Sequence, residues 1–313
     1  MGDDAMISGF WPRVIASIID GLLLFIVGSV CSLLIPDLLT QLGGWGPIIG
    51  FLVALAYFGI LNSAIGKGQT IGKRLMDIQV VDRSDQYISL SRSLLRYTIL
   101  GLPFFLGGSL IPPSVIVSPN MITSPINNII DFIFLGFYGA TVYLYVFNRQ
   151  TRQSLHDLVV GTFVKEILSQ QVYGSIWRPH MAVVGAWFVA VIGFSVATTD
   201  FSRQRLSPEL LGVQHAIQAS GQVHAATVNV VNSDYHPSSF YASAILKRRP
   251  QDESAAARSI AATILRNYPE ILEKSAITIY IMHGFDIGVA TRWKSHSATR
   301  SPREWQHLVH SSE

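Results

Sequence analysis

The chain has 313 residues, of which 49% are hydrophobic and only 14% are charged. Soluble domains are about one quarter charged, so this composition indicates an integral membrane protein. The net charge of +3 does not indicate a nucleic-acid-binding protein, because the basic residues are scattered or flank apolar segments. The single cysteine, Cys31, excludes an internal disulfide.

Five apolar segments are long enough to cross a bilayer as helices, which takes about 20 residues. They lie at about 14–35, 47–65, 94–117, 127–147 and 181–198. The first is longer than the core of a signal peptide, so we expect it to remain as a membrane span.

Lysine and arginine residues predict the topology of these spans. The loops 36–46 and 112–126 contain none, whereas 66–96 contains six and 148–180 contains four. Basic loops stay in the cytoplasm, so we expect a multi-pass protein of the inner (plasma) membrane with a cytoplasmic N-terminus. The fifth crossing, at 181–198, then places the remaining chain outside the cytoplasm.

The two basic segments resemble each other weakly. Gln69-Thr70 and Gln153-Ser154 each follow a pair of spans and precede the mixture of basic and apolar residues that is typical of an interfacial segment. We interpret this as a parallel repeat of two spans and one interfacial segment. Arg96 opens the third span as Arg13 opens the first, but Pro103 follows where the first span has an acid.

The segment 199–313 predicts a small extracytoplasmic α+β domain with one modest core. Ser207-Pro208 and Asp252 are typical helix starts. We expect helices at about 207–219, at 253–267 and from Ser301 onward. We expect strands at 223–231, 240–246, 276–282 and 287–293, with a turn at His283-Gly284-Phe285-Asp286.

Arg13, Asp20 and Asp157 are the charged residues most in need of an explanation. Asp20 lies inside the first span, seven residues after Arg13 and on the same helix face. An acid at this depth costs roughly 2.5–3.5 kcal/mol unless it is paired, protonated or in contact with water. Either Asp20 is a protonatable or cation-binding site controlled by Arg13 and Asp157, or Arg13 pairs with both acids and the cluster holds the fold together.

Four sequence blocks in order resemble the RDD family, which is named for one arginine and two aspartates. The blocks are Arg13, Asp20, Gly68-Gln69-Thr70-Ile71-Gly72-Lys73-Arg74 and His156-Asp157-Leu158 before Gly161-Thr162. The resemblance covers about 8–168 and implies a polytopic membrane fold with a mostly unassigned role. Transport of unidentified ligands has been suggested for the family, and some members look like cation/proton antiporters.

Other polar residues suggest secondary sites. Asp131 in the fourth span is either an acid among lipid headgroups or an outer gate. The segment 66–74 is not a phosphate-binding loop, because Gly68 and Gly72 have three residues between them and no Ser or Thr follows the lysine. We expect Lys67, Lys73 and Arg74 to contact anionic headgroups instead, each contributing about 1 kcal/mol.

The C-terminal segment offers no recognisable catalytic or metal-binding pattern. Seven of the nine histidines lie there, but their spacings fit no zinc site, and no Gly-x-Ser-x-Gly motif is present. We therefore expect no enzymatic activity, no cofactor and no metal.

Two functions remain open. The first is transport of an ion or small solute, or a subunit that assists a transporter, with Asp20 as the site. The second is a membrane-anchored interaction protein that presents the α+β domain to a protein partner. A water-accessible polar cavity around Asp20 favours transport. A sealed Arg13–Asp20–Asp157 cluster together with an exposed apolar patch on the C-terminal segment favours anchoring.

Overall fold

The computed structural model describes residues 7–110, 125–167, 174–199, 207–231 and 238–311, without the side chains of 106–110, 125–133 and 198–199. Residue contacts divide the chain into two compact units. The first consists of Met1–Val30, Pro47–Leu110 and Thr123–Ser202, and the second of Cys31–Gly46, Ile111–Ile122 and Arg203–Glu313.

The helices and strands follow one another along the chain, numbered here in order. They are α1 Phe10–Leu34, α2 Pro36–Gln41, a 3-10 helix Gly43–Trp45, α3 Gly46–Leu61, α4 Ile71–Leu75, β1 Ile78–Asp82, α5 Leu90–Leu110, α6 Pro125–Phe147, α7 Leu155–Val160, β2 Thr162–Glu166, α8 Arg178–Thr199, α9 Pro208–Gln218, β3 Val223–Val231, β4 Ser239–Leu246, α10 Glu253–Asn267, a 3-10 helix Pro269–Glu273, β5 Ala276–Asp286, β6 Thr291–Arg300 and α11 Pro302–His310.

A helix occupies each of the five predicted span positions, as α1, α3, α5, α6 and α8. In the described part of the chain, three stretches are long and apolar enough to cross a bilayer: Phe10–Leu34, Gly43–Leu61 and Arg178–Ala197. Phe134–Phe147 is a shorter apolar helix. Length and composition therefore support membrane insertion and leave the count of five as a prediction.

Helix α1 turns its two charged residues inward. Its buried positions recur every three or four residues and so form one face; they are Arg13, Ala16, Asp20, Leu24 and Gly28. On the other faces, Leu22 is 56% exposed and Leu33 is 72% exposed. This reversal of the soluble pattern is expected where lipid surrounds the helix and polar groups face the protein interior.

A helix–strand motif appears twice in the first unit, as α4–β1 and α7–β2. The two strands pair antiparallel, with Val80 opposite Val164. In both copies a glutamine amide donates to a backbone carbonyl nine residues ahead: Gln69 to Ile78 at 3.0 Å and Gln153 to Thr162 at 2.8 Å. The helix–strand part of the predicted repeat is therefore present twice, and its two copies are joined through β1 and β2. The two spans assigned to each copy stay a prediction.

The second unit contains a four-stranded sheet of order β3-β4-β5-β6. Strands β4 and β5 are parallel and are connected through α10, while the other two pairs are antiparallel. One face of the sheet packs with the helices around a core that includes Val213, Phe240, Ile264, Ile279 and Trp305. The result is the α+β domain that the sequence predicts.

The predicted turn at 283–286 is wrong. Strand β5 continues to Asp286, and the turn lies after it, where Gly288 has a φ of +73° and its N–H donates to the Asp286 carboxylate at 2.7 Å. Gly284 has another purpose, because a Cβ there would lie 2.0 Å from the Arg292 carbonyl oxygen. Close approach of two strands, and not a turn, requires that glycine.

The segment 31–46 packs with the C-terminal domain. Leu39 shares a small core with Phe285, Ile287 and Ala290. The His224 Nε2 atom lies 3.1 Å from the Thr40 carbonyl oxygen. The second unit thus extends beyond the predicted 199–313 to include the link between α1 and α3.

Candidate functional site

Asp20 reaches from α1 to the start of α4. The Tyr57 hydroxyl donates to Oδ1 at 2.7 Å, the Thr70 hydroxyl to Oδ2 at 2.6 Å, and the Gly72 N–H to Oδ1 at 2.8 Å. The residue is 1% exposed. Asp20 is therefore a sealed carboxylate that accepts hydrogen bonds from three neutral donors.

Local sequence explains why α4 comes so close to α1. Thr70 caps α4 and accepts from the Lys73 N–H at 3.3 Å while donating to Asp20. A Cβ on Gly72 would lie 2.1 Å from the Ala16 carbonyl oxygen and 3.0 Å from the Asp20 carboxyl carbon. Glycine at this position lets the free N–H groups of the first helical turn reach the carboxylate.

Asp157 in α7 is bound by Arg96 from α5. Arg96 donates to Asp157 Oδ1 through Nε at 2.9 Å and through Nη2 at 2.7 Å. The Thr162 hydroxyl donates to the same oxygen at 2.9 Å, and Arg13 Nη1 lies 4.0 Å from Oδ2. Asp157 is 0% exposed, so this is a buried ion pair whose nearest cation is Arg96.

The neighbouring His156 is neutral. Arg96 Nη2, which only donates, lies 3.1 Å from His156 Nε2, so the ring proton is on Nδ1, 2.8 Å from the Ser154 hydroxyl. Burial lowers the pKa of His156 to about 3. Burial alone would raise the pKa of Asp157, but Arg96 and Arg13 reverse this and hold that pKa below its usual range.

Arg13 ties α1 to the second helix–strand motif. Its Nη1 donates to the Arg152 carbonyl oxygen and its Nη2 to the Val164 carbonyl oxygen at 3.0 Å. Its guanidinium carbon lies 5.9 Å from the centre of the Tyr145 ring. Arg13 thus links α1 to backbone groups that lie 139 and 151 residues further along the chain.

The structure brings Arg13 and Asp157 together and holds Asp20 separately. In the described hydrogen bonds and ion pairs, Asp20 contacts neither Arg13 nor Asp157. Sequence reasoning did not assign Arg96 or Tyr57 to the site. Arg96 had a signal, its position at the head of the third span, but Tyr57 is one aromatic among apolar residues and had none.

The secondary candidates fall into three groups. Lys73 is half-buried and donates to Asn62, and burial, followed by the charge of Arg96, lowers the pKa of Lys73 well below its usual value. Lys67 and Arg74 are exposed, so headgroup contact stays a prediction for them. Asp131 belongs to α6, but its side chain lies outside the described residues.

Asp20 and Asp157 are each surrounded by hydrogen-bond donors of the protein itself. Within the described residues, no group of three or more His, Cys, Asp or Glu side chains is positioned to hold a metal ion. The hydrogen bonds instead join α1 to α4 through Asp20 and α5 to α7 through Asp157. Both acids therefore join a long helix to a short one.

Comparison with known proteins gives one family and one relative. The model of the RDD family matches residues 7–161. The uncharacterized protein YckC of Bacillus subtilis (strain 168) is 29% identical over 157 residues, which is 50% of this chain and 83% of that protein. No solved structure matches the chain. Both the acids and their arginines lie inside the family match, and the sheet domain lies after it.

Proposed function

We propose that this chain, which belongs to the RDD family of membrane proteins through residues 7–161, is a non-transporting membrane anchor. Its spans hold the C-terminal α+β domain outside the cytoplasm, where that domain binds a protein partner. The proposal includes no catalytic role and no cofactor.

Sealing of the two acids is the observation that carries this proposal. An acid that moves ions must meet water and exchange its ligands. Asp20 and Asp157 are almost fully buried, and their oxygens already accept hydrogen bonds from side chains and backbone of four different helices or strands. Such contacts hold helices in fixed positions relative to one another. A buried ion pair has this role when the hydrogen bonds of its neighbours are satisfied.

The extracytoplasmic position of the domain has two independent supports. Counting five spans from a cytoplasmic N-terminus puts the C-terminal segment outside. Separately, the loop 36–46 has no Lys or Arg and packs with the domain through Leu39 and Thr40. A domain that packs on a loop lies on the same side of the membrane as that loop.

Strand β6 is the surface we propose for the partner. It is an edge strand of ten residues whose side chains are mostly exposed. Such an edge offers unpaired backbone groups to an added strand. Arg292, Lys294 and Arg300 lie on this strand, so an extended acidic segment is the complementary partner.

The topology is tested by cysteine labelling in a Cys31→Ser background. Arg248 and Arg74 are both exposed and lie on opposite sides of the membrane in the proposal. A membrane-impermeant maleimide applied to intact cells should label Arg248→Cys and should label Arg74→Cys only after permeabilisation. Labelling of Arg74→Cys alone in intact cells would contradict the proposed orientation.

Partner binding is tested by photocrosslinking in cells. A photoreactive amino acid replaces Ser295, which is exposed on β6, or Ser220, an exposed control position outside the sheet. We expect one discrete adduct from position 295 that disappears when Arg292 and Lys294 are both changed to Glu. An adduct that survives both charge reversals, or that forms equally from position 220, counts against the proposed surface.

Transport is the second candidate, and one observation favours it. The described hydrogen bonds to Asp20 come only from neutral donors, so no positively charged group in direct contact neutralises this carboxylate, and a transported cation would be attracted to it. The test is cation flux in proteoliposomes after a pH step, comparing the wild type with Asp20→Asn. Flux no faster than in empty liposomes supports the anchor, whereas flux that Asp20→Asn abolishes would replace it with transport.

A further inference from the structure

A cleft of about 250 Å³ lies between α1 and α6. Its lining consists of Arg13, Val14, Ser17, Ile18 and Tyr145. Ser17 and Ile18 are exposed on the outer surface of α1, so the cleft opens sideways, toward the region that lipid occupies around a membrane helix. A cleft in this position is accessible from the bilayer.

Arg13 brings an unsatisfied donor to this cleft. The residue is 5% exposed, and its two terminal nitrogens donate to backbone carbonyls. The remaining Nε–H has no acceptor among the described residues. The Nε atom is itself buried, and a buried donor without a partner is destabilising, so an acceptor that reaches it from the cleft would stabilise the protein.

The charges around Arg13 call for an anion. Asp157 Oδ1 lies 2.7 Å from Arg96, whereas its other oxygen is 4.0 Å from Arg13. His156 is neutral, and Asp20 is bound by other groups. Two guanidinium groups therefore share one carboxylate, and Arg13 retains positive charge that Asp157 does not neutralise at short range.

We propose that the cleft binds the phosphate of an anionic phospholipid, which accepts a hydrogen bond from Arg13 Nε. Arg13 lies in the first turn of α1, beside the exposed Trp11, and aromatic residues of this kind mark the headgroup level. The acyl chains follow Ile18 and the lipid-facing residues beyond it, such as Leu22. The inference uses the membrane position of α1 and α6 from the proposed function but does not depend on the partner of the C-terminal domain.

The experiment uses the full-length protein in a maltoside detergent, which contains no phosphate. Dihexanoyl phosphatidylglycerol, dihexanoyl phosphatidylcholine and inorganic phosphate are titrated separately, and binding is followed as the rise in Tm. The test variant is Ser17→Phe, which fills the cleft from an exposed position. The matched control is Leu22→Phe, an exposed position on α1 that does not line the cleft.

We expect phosphatidylglycerol to bind the wild type and Leu22→Phe equally, and Ser17→Phe at least tenfold more weakly. Inorganic phosphate and phosphatidylcholine should bind the wild type at least fivefold more weakly than phosphatidylglycerol. The lipid site is overturned if Ser17→Phe binds phosphatidylglycerol as tightly as the wild type does. It is also overturned if inorganic phosphate or phosphatidylcholine binds the wild type as tightly as phosphatidylglycerol does. Such a result with normal cysteine labelling counts against the lipid site alone and leaves the anchor proposal standing.

Discussion

Asp20 and Asp157 are buried to the same degree but differ in the groups that satisfy them. Asp20 accepts from two hydroxyl groups and one backbone N–H. Asp157 accepts from Arg96 at 2.7 Å, with Arg13 at 4.0 Å. Each acid joins a long helix to a short helix, which is α4 in the first copy of the repeat and α7 in the second.

This difference shows that one architectural role can be filled by neutral or by charged partners. Neutral donors are desolvated at modest cost, whereas a buried ion pair becomes costly as soon as one member is lost. The second copy of the repeat should therefore be the more sensitive to substitution.

The largest effect is expected from Arg96→Met. This change leaves Asp157 buried without its nearest cation and should lower the free energy of unfolding by about 3–5 kcal/mol. The measurement is thermal unfolding of the full-length protein in detergent, with Arg149→Met as the control because Arg149 is exposed. Equal Tm values for the two variants would mean that the Arg96–Asp157 pair does not stabilise the protein as described.

Gly72→Ala should come next, with a loss of about 3 kcal/mol, because its Cβ meets a backbone oxygen that cannot move aside. That oxygen, on Ala16, would lie 2.1 Å from the new carbon, whereas a Cβ on Gly21 meets nothing within 4 Å. Gly21→Ala is therefore the matched control on the same pair of helices. A Gly72→Ala protein as stable as Gly21→Ala would mean that α4 does not pack on α1 as described.

Asp20→Asn should cost about 2 kcal/mol, since the amide keeps one acceptor oxygen and meets donors with its nitrogen. Asp157→Asn, which leaves Arg96 unpaired, should cost more. The free energies of unfolding of both variants, measured under identical conditions, show which acid contributes more to stability. A larger loss for Asp20→Asn would reverse the comparison.

A pH dependence is also expected from His156, which lies beside the second acid. The pKa of His156 is about 3 in the folded protein against 6.5 for an ordinary histidine, so the unfolded chain binds one more proton between these values. The contribution of His156 to the free energy of unfolding is therefore fully present above pH 6.5. It falls as the pH drops, by about 1.4 kcal/mol per pH unit at most. His156→Gln should flatten this slope between pH 6.5 and 4.5, whereas His215→Gln, at an exposed position, should retain it.

Local signals in the sequence predicted the C-terminal elements well. Ser207, Asp252 and Ser301 cap the helices that they were expected to begin. Capping and hydrophobic periodicity act within one or two turns of chain, so they can be read from a short window. Gly284 was misread because a glycine required by a neighbouring strand looks the same as one required by a turn.

Long-range contacts explain what the sequence could not predict. Asp20 was found because acids are rare in apolar segments, and Arg13 because it opens the same span. Asp157 was found through the resemblance to the RDD family, whose match covers all three residues. Their partners were not, since Tyr57 has no local peculiarity and the pairing of Arg96 with Asp157 spans 61 residues. The packing of Leu39 with the β5–β6 hairpin had no local signal either.

That last contact has a consequence for the order of events during synthesis. Leu39 leaves the ribosome long before Phe285. The apolar side of the loop between α1 and α3 is therefore covered only after almost the whole remaining chain has been synthesised. Contacts of such high sequence separation form late and slowly. A chain that stops after α8 would leave Leu39 without the three residues that cover it, Phe285, Ile287 and Ala290.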